Sequence, residues 1–509
     1  MRSPRHSLIL VVACWLGVAA SLLAAEFSFV NDFEAVEWED EWEWISYPGI
    51  VIDDYNRVTL FWNSRIPNPL YSPYNQIYYR RLDASGLPLS GNVMVTDSTR
   101  HSNFAALFPG SNYQGKWAFA SPIFWTYPEC WPFCYNETRS WFSDASGDCD
   151  DTGFTVGAEV ESPLDNDMGA GDVDSTGNFV IVWNNLQTAV VWCQLFDPDG
   201  TPLTDTIRVQ DGSYPEDPSL RYARRPQVAM APEGDFVVVF QAECDLCEPG
   251  DWITDIFARP YNADGTPKTD LLCATCWGDS TNHIWNGGTF PSVAIQNNGD
   301  YAISWVQYMD NCNARTVLRR FYADGTPKGQ QVVIDSSMCS MNTGCWVASD
   351  SVGNLVAAWQ NNRGSSNQLG NLFAQRYNPS GEAVGEKFQV NDGYMNVDLP
   401  LSPVALNNNG MVAFFWLELD ETTGRFPGMA QFMDLEDVGV YVSCDANNDR
   451  LVNITDAVFL INYIFNGGVP PAHECLGNAN GDELVNITDA VALISYIFSN
   501  GDIVEGCPD

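Results

Sequence analysis

The feature that most limits what this chain can fold into is a repeat of roughly sixty residues filling positions 26–441. In each copy a turn carrying Gly or Asn leads into a β-branched and aromatic run that ends in Trp or Phe. This run stands at 56–62, 177–183, 234–240, 299–305, 353–359 and 410–416, with a degenerate copy at 115–121. The closing positions 62, 121, 183, 240, 305, 359 and 416 are 59, 62, 57, 65, 54 and 57 residues apart. A variable loop, a second strand, a turn such as DPDGTP or NADGTP, and a last strand follow. The turn glycines recur independently at Gly86, Gly147, Gly200, Gly265, Gly325 and Gly381.

Short strands closed by Asp/Asn-Gly turns at this period are the mark of propeller blades, each a small sheet packed on its neighbours. An unbroken apolar run such as 236–240 (FVVVF) predicts a strand buried on both faces, as stacked sheets require. The expected fold is therefore all-β, a seven-bladed β-propeller over 26–441 in which the closed ring leaves no open sheet edge. A solenoid or a pair of β-sandwiches is the alternative architecture. Residues 27–32 (FSFVND) resemble 388–392 (FQVND) at the end of the sixth repeat, and the seventh repeat runs out near 437. The N-terminal segment 27–32 is thus expected to supply the outer strand of the seventh blade; completion by 438–442 is the competing reading.

The first residues are basic (Arg2, Arg5), then apolar from 8 to 23, then Ala24-Ala25, which predicts a secretory leader over 1–25. No later segment is long enough to span a bilayer. Net charge is −41, from 24 basic and 65 acidic residues. That argues against nucleic acid or anionic lipid as partner, since phosphates need Lys or Arg to neutralise them. Fourteen of the 15 cysteines follow the leader, and in an exported chain they are read first as disulfides. Cys244/Cys247 and Cys273/Cys276 have zinc-ribbon spacing, the competing reading.

At the C-terminus, a twelve-residue oxygen-rich loop followed by an apolar helix occurs twice, offset by 33 residues; the octet LVNITDAV stands at 451–458 and again at 484–491. Side-chain oxygens fall at loop positions 1, 3, 5, 9 and 12: Asp445, Asn447, Asp449, Asn453 and Asp456, then Asn478, Asn480, Asp482, Asn486 and Asp489. The position 7 carbonyls of Leu451 and Leu484 add one oxygen each. Hard oxygen ligands in this number suit Ca2+, one ion per loop, and the absence of sulfur or imidazole makes zinc a poor fit. Val458, Ile461, Ile464 and Phe465 keep to one helical face, as do Val491, Ile494, Ile497 and Phe498, and these faces are expected to bury each other.

Residues 444–507 resemble a dockerin, the duplicated calcium loop–helix module that docks on cohesin modules in cellulosome-like assemblies; the proposed domain spans 442–509. Asp rather than Glu at position 12 of both loops matches that family. Arg450 and Glu483 stand where a turn glycine is usual, and Asn478 replaces the first Asp, so the second loop brings two carboxylates against three and is expected to bind calcium more weakly. The resemblance implies a cohesin-type partner contacted through loop positions 10 and 11, here Ile454, Thr455, Ile487 and Thr488, in two alternative orientations; the plain alternative is that the two isoleucines cover the small core. Pseudo-symmetry of the two units also places Cys507 near Cys444, and a bridge between them is expected to clasp the module.

Only four histidines are present, and no Walker loop, GxSxG elbow or HExxH helix occurs. Trp125, Trp131 and Trp141, in an aromatic-rich stretch of the second repeat, are candidates for a glycan platform, with burial between blades as the competing role. The sequence therefore points to a secreted, non-catalytic binding or display protein. The alternative is a glycoside hydrolase or polysaccharide lyase joined to a docking module; a hydrolase would need paired carboxylates at the ring's centre.

Overall fold

The computed structural model describes residues 30–499 apart from 37–43, 67–73, 96–99, 103–106, 109, 112–114, 126–135, 144–148, 150–152, 157–165, 186–189, 211–219, 245–253, 276–286, 309–313, 339–343, 363–368, 392–394, 397–402, 421, 436–443, 447–451, 467–470, 472–473 and 483. The expected leader over 1–25 and the competing closing segment 438–442 lie outside the described residues.

The protein is mostly β: the described residues form six sheets in a β-propeller arrangement, and their helices all lie at the C-terminal end. A representative sheet is the antiparallel meander Leu220–Met230, Phe236–Cys244, Thr254–Tyr261 and Leu272–Cys273. The Trp- or Phe-ended run of each repeat is the second strand of its sheet. The first strand lies upstream and carries Pro and polar residues, which hid it from the repeat pattern. Phe236, Val237, Val238, Val239 and Phe240 are all buried, as a strand packed on both faces requires. The connecting turns need glycine: in the turn after Thr254–Tyr261, Gly265 has φ 82°, donates its N–H to the Asn262 carbonyl, and faces Ile207 of the preceding sheet.

Seven separate sheets were expected and six are found. The difference lies in the first two repeats, which form one nine-stranded sheet. The short strand Arg100–Ser102 pairs at Ser102 with Asn75 and along its length with Trp117–Trp125, tying the first meander to the second. The two halves nevertheless face each other across an apolar core, with Phe61 and Tyr79 on one side and Trp117, Phe119 and Trp141 on the other.

Closure is achieved twice. Val30–Val36 pairs antiparallel with Gly428–Asp434 as the outer strand of the last sheet, in the role expected of the N-terminal segment but a few residues downstream of 27–32. At the turns beside the inner strands, Asn407 Nδ2 donates to the Asp53 carbonyl and to Asn56 Oδ1, both at 2.7 Å, across more than 350 residues of sequence. Asn408 adds bonds to the Asp54 carboxylate at 2.9 and 3.0 Å.

Beyond the sheets lie α1 (Ile454–Asn466), the single turn α2 (Glu474–Gly477) and α3 (Ile487–Ser499). The helices pack through Ala457 and Leu460 of α1 and Ala490 and Leu493 of α3, over Ala446, Ala479 and Cys444. The expected helix face is corrected here. Val458, Ile461 and Phe465, with their counterparts Val491, Ile494 and Phe498, are exposed, because small alanines let the helices approach on the opposite face. Only Ile464 of the named set packs against this core, and only partly.

Candidate functional site

The C-terminal loops are organised around the carboxylate at position 12. Asn453 caps α1: its Oδ1 accepts the Thr455 N–H at 2.9 Å, while Asp456 Oδ2 accepts the Asn453 N–H at 2.8 Å. Asn486 and Asp489 repeat this reciprocal cap on α3 with distances of 2.9 and 2.8 Å. In the second loop Asp489 Oδ1 also accepts the Asn480 N–H at 3.2 Å, so one carboxylate ties the early part of the loop to its end. Asn480 Nδ2 reaches Asp482 Oδ2 at 3.1 Å, and Asn478 Oδ1 accepts the N–H groups of Gly481 and Asp482. Gly481, with φ 76°, makes the tight turn of the second loop.

Asp445, Asp456 and Asp489 are all fully buried, in a segment (444–509) that carries ten acids and one basic residue, Arg450. The Cys444 thiol reports this field: burial, then the negative charges of Asp489 and Asp456, pushes it up to about 11. Buried carboxylates in so acidic a segment fit a hard cation held by oxygens. Among the described residues no three His, Cys, Asp or Glu side chains come together in a metal-sized group. The second loop offers Asp482 and Asp489 among amide oxygens, while Asn447, Asp449 and Leu451 of the first lie outside the described residues.

Loop position 10 is not core. Ile454 and Ile487 are about two-fifths exposed, and each begins a stripe continued by Val458, Ile461 and Phe465 or by Val491, Ile494 and Phe498. The stripes match closely: Val458 and Val491 are both 58% exposed. Thr455 and Thr488 lie beside them and donate to the capping asparagines.

In the propeller, inner strands line a central cavity of about 170 Å³. Its walls come from seven short segments: 50–52, Gly110, 171–173 with Ser175, 227–230 with Pro232, 292–295, 347–349 and 404–406. Apolar side chains share the lining with Ser175, Gln227, Ser292 and Ser349, and Asp172 is the one carboxylate among the described lining residues. Asp172 Oδ2 accepts the Met230 N–H of the neighbouring sheet at 2.7 Å, and Oδ1 accepts the Val173 N–H at 2.9 Å. Part of its surface stays open to the cavity, yet protein surrounds it. Burial, opposed by the two N–H groups and reinforced by Asp174, raises its pKa to about 7. The repeat pattern gave no signal for Asp172, which sits on an inner strand.

The aromatic candidates separate. Trp141 is 1% exposed and stacks on Phe119 at 5.6 Å between the two halves of the nine-stranded sheet, so it has no face to offer a sugar. Trp125 ends the strand Trp117–Trp125, and Trp131 lies outside the described residues.

Cys193 and Cys345 are buried thiols rather than disulfide partners; burial raises both, Cys345 to about 12, and they pack as small apolar groups. Cys273 is disulfide-bonded, which removes its thiolate from a four-cysteine zinc set. Cys444 is a thiol, so the expected clasp between it and Cys507, which itself lies outside the described residues, is not formed. No helix among the described residues is long and apolar enough to cross a membrane.

No protein-family model matches the sequence, and no curated protein does. Among solved structures, the chain is similar to polysaccharide lyase Uly1, with TM-score 0.46 and 11% identity over 76% of this chain and 89% of that one. It is also similar to a Penicillium chrysogenum α-L-arabinanase complexed with arabinobiose, with TM-score 0.41 and 11% identity over 81% and 99%. A Dyadobacter fermentans protein of unknown function gives TM-score 0.43 and 12% identity over 66% and 94%. Likeness at this level carries no argument about activity.

Proposed function

We propose that this is an exported binding or display protein in two parts. Residues 26–441 form a propeller that engages an extracellular glycan or protein, and residues 442–509 form a dockerin-like module that takes two Ca2+ and docks on a cohesin-type partner. The nine-stranded sheet then counts as two blades, giving a seven-bladed ring. Support comes from the seven segments around the cavity and from the apolar core between the two halves of that sheet.

One observation carries the docking reading: the module exposes the same apolar stripe twice, at Ile454, Val458, Ile461 and Phe465 and at Ile487, Val491, Ile494 and Phe498. Contiguous exposed apolar surface of this kind is rare on a chain without a partner for it. Duplication means that a half-turn presents an equivalent face. Calcium, when bound, supplies positive charge to Asp445, Asn447, Asp449, Asn453 and Asp456 and to the matching set in the second loop. The chain's own residues do the rest, since the caps at Asn453 and Asn486 fix the start of each docking helix.

The second reading, glycan cleavage by the propeller, is favoured by Asp172, a carboxyl titrating near neutrality in the central cavity, as a general acid or base does. It lacks a carboxylate partner among the cavity-lining residues. Capture of the full chain by an immobilised cohesin in calcium, and its release by chelator, tests the first reading; indifference to chelator overturns it. Release of reducing ends from a glycan panel, abolished in Asp172→Asn, would move the conclusion to the second.

A further inference from the structure

Six inner strands reach the central cavity in one register. Each ends in a turn whose first residue accepts, at its carbonyl, the N–H of the residue three places on; Asp53, Asp174, Ala231, Gln296, Asp350 and Asn407 open these turns. Two residues before them stand Val51, Asp172, Ala229, Ala294, Ala348 and Ala405, and all six line the cavity. Val51, Ala229, Ala294 and Ala405 belong to the apolar clusters between neighbouring sheets, and Ala348 packs against one. The remaining strand carries a carboxylate at this place. Packing does not demand it, since alanine or valine fills the position in the other five.

Asp172 has no counter-charge in the cavity. Its carboxylate accepts the Val173 and Met230 N–H groups at 2.9 and 2.7 Å, and the charge that acts on it is that of Asp174, of the same sign. No Lys or Arg stands among the described lining residues. A charge enclosed by protein without a partner is costly, and apolar walls strengthen its attraction to any cation that enters. The hydroxyls nearby are set to accept. Ser175 Oγ gives its proton to the Pro232 carbonyl at 2.6 Å, and Ser349 Oγ gives its own to the Ile295 carbonyl at 3.0 Å, which leaves their lone pairs for a guest. An acceptor-rich cavity suits a donor-rich cation. Calcium asks for about six to eight oxygen ligands, more than one carboxylate and scattered hydroxyls supply, whereas an ammonium brings about three donors. The volume of about 170 Å³ is of the order that holds one six-membered ring. Ser175 is exposed, so the cavity opens to solvent beside the turn 174–177, and the net charge of −41 draws cations toward that opening.

We propose that the central cavity binds an amino sugar with a free ammonium group, the ammonium paired with Asp172 and the ring hydroxyls donating to the serine oxygens. This deepens, and rests on, the reading of the propeller as glycan-binding. The alanine and valine side chains meet the C–H faces of the ring, and the charge-assisted bond to Asp172 supplies the selectivity. An N-acetylated sugar of the same shape lacks the charge and is bound weakly.

The test is calorimetric titration of the full chain at pH 7 with glucosamine, N-acetylglucosamine, glucose and cyclohexylamine, and of Asp172→Asn with glucosamine. Glucosamine bound about tenfold or more tighter than the two uncharged sugars, and weakened about tenfold or more in Asp172→Asn, supports the proposal. The comparison of glucosamine with N-acetylglucosamine needs no variant, so it decides the matter even where Asp172→Asn fails to fold. Unchanged affinity in a folded Asp172→Asn, or no binding of glucosamine, overturns the site. Cyclohexylamine bound as tightly as glucosamine overturns the assignment to a saccharide. N-acetylglucosamine or glucose bound as tightly as glucosamine sinks this inference while leaving the glycan-binding propeller standing.

Discussion

Asn407 should be among the most expensive surface-turn residues to remove. Its Oδ1 accepts the buried Met411 N–H at 2.9 Å, and its Nδ2 donates to the Asp53 carbonyl and to Asn56 Oδ1, both at 2.7 Å. The side chain is fully buried. Asn407→Ala therefore strands the buried Met411 N–H and cuts both bonds to the first sheet, where the Asp53 carbonyl keeps the Asn56 N–H at 3.0 Å and Asn56 Oδ1 is part-buried. At about 1–2 kcal/mol for the stranded N–H and about 0.5 kcal/mol for each lost inter-sheet bond, the loss is roughly 2 kcal/mol. Asn378 provides a matched control, because it opens a turn of the same geometry: its carbonyl accepts Gly381 N–H as that of Asn407 accepts Gly410 N–H. The side chain of Asn378 bonds Glu382 at 3.0 Å in solvent and crosses to no other sheet. Asn378→Ala should cost below about 1 kcal/mol. Guanidinium unfolding at pH 7, followed by tryptophan fluorescence, separates the two. A loss below about 1 kcal/mol for Asn407→Ala, or an equal loss in both variants, would refute the idea that this turn locks the ring. Asn407→Asp should be worse than Ala at pH 7, since its second oxygen meets two acceptors, and should recover in acid as the carboxyl gains a proton to donate.

Three further outcomes follow from particular groups. Burial raises Asp172 to about 7, so its contribution to stability is present below the ordinary carboxylate range and is lost as pH rises from about 4 through about 7; pH-dependent unfolding of Asp172→Asn should be flatter in that window, and an unchanged profile would count against the raised value. Cys193 and Cys345 are buried with raised thiols, so mass mapping after maleimide labelling should find them unmodified in the native chain and modified after unfolding; native labelling of either contradicts the packing. Replacing Val458 alone by Ser should leave cohesin capture nearly intact, because the second stripe remains, whereas Val458→Ser with Val491→Ser should weaken it by about tenfold or more. A large loss from Val458→Ser alone would contradict two equivalent faces.

The sequence made the second strands of the sheets legible because their residues are apolar on both faces and end in a large aromatic, as at Phe236–Phe240. It concealed the inner strands, where bulges, prolines and polar side chains break any period, and with them Asp172. A signal existed in the recurring aromatic- or arginine-proline pairs at 47–48, 225–226 and 290–291, yet nothing in the letters says that each pair marks a register slip in an inner strand. The merging of the first two repeats was equally hidden, since Arg100–Ser102 pairs with both through three residues of no distinctive composition. In the C-terminal segment the duplicated loops were plain, but the helix face was assigned wrongly. Large apolar residues on one side and alanines on the other both fit an amphipathic period, and close approach of the backbones selected the alanines. Trp141 was drawn into the core for the opposite reason: the wide gap between the two halves of the nine-stranded sheet takes large rings.

Calorimetric titration of the calcium-stripped full chain with Ca2+ reaches the account's centre most directly. Two bound ions per chain are predicted, the tighter one lost in Asp445→Ala and the weaker in Asp482→Ala, because the first loop brings three carboxylates and the second two. Absence of stoichiometric binding, or a tighter site that disappears with Asp482 rather than Asp445, would contradict it.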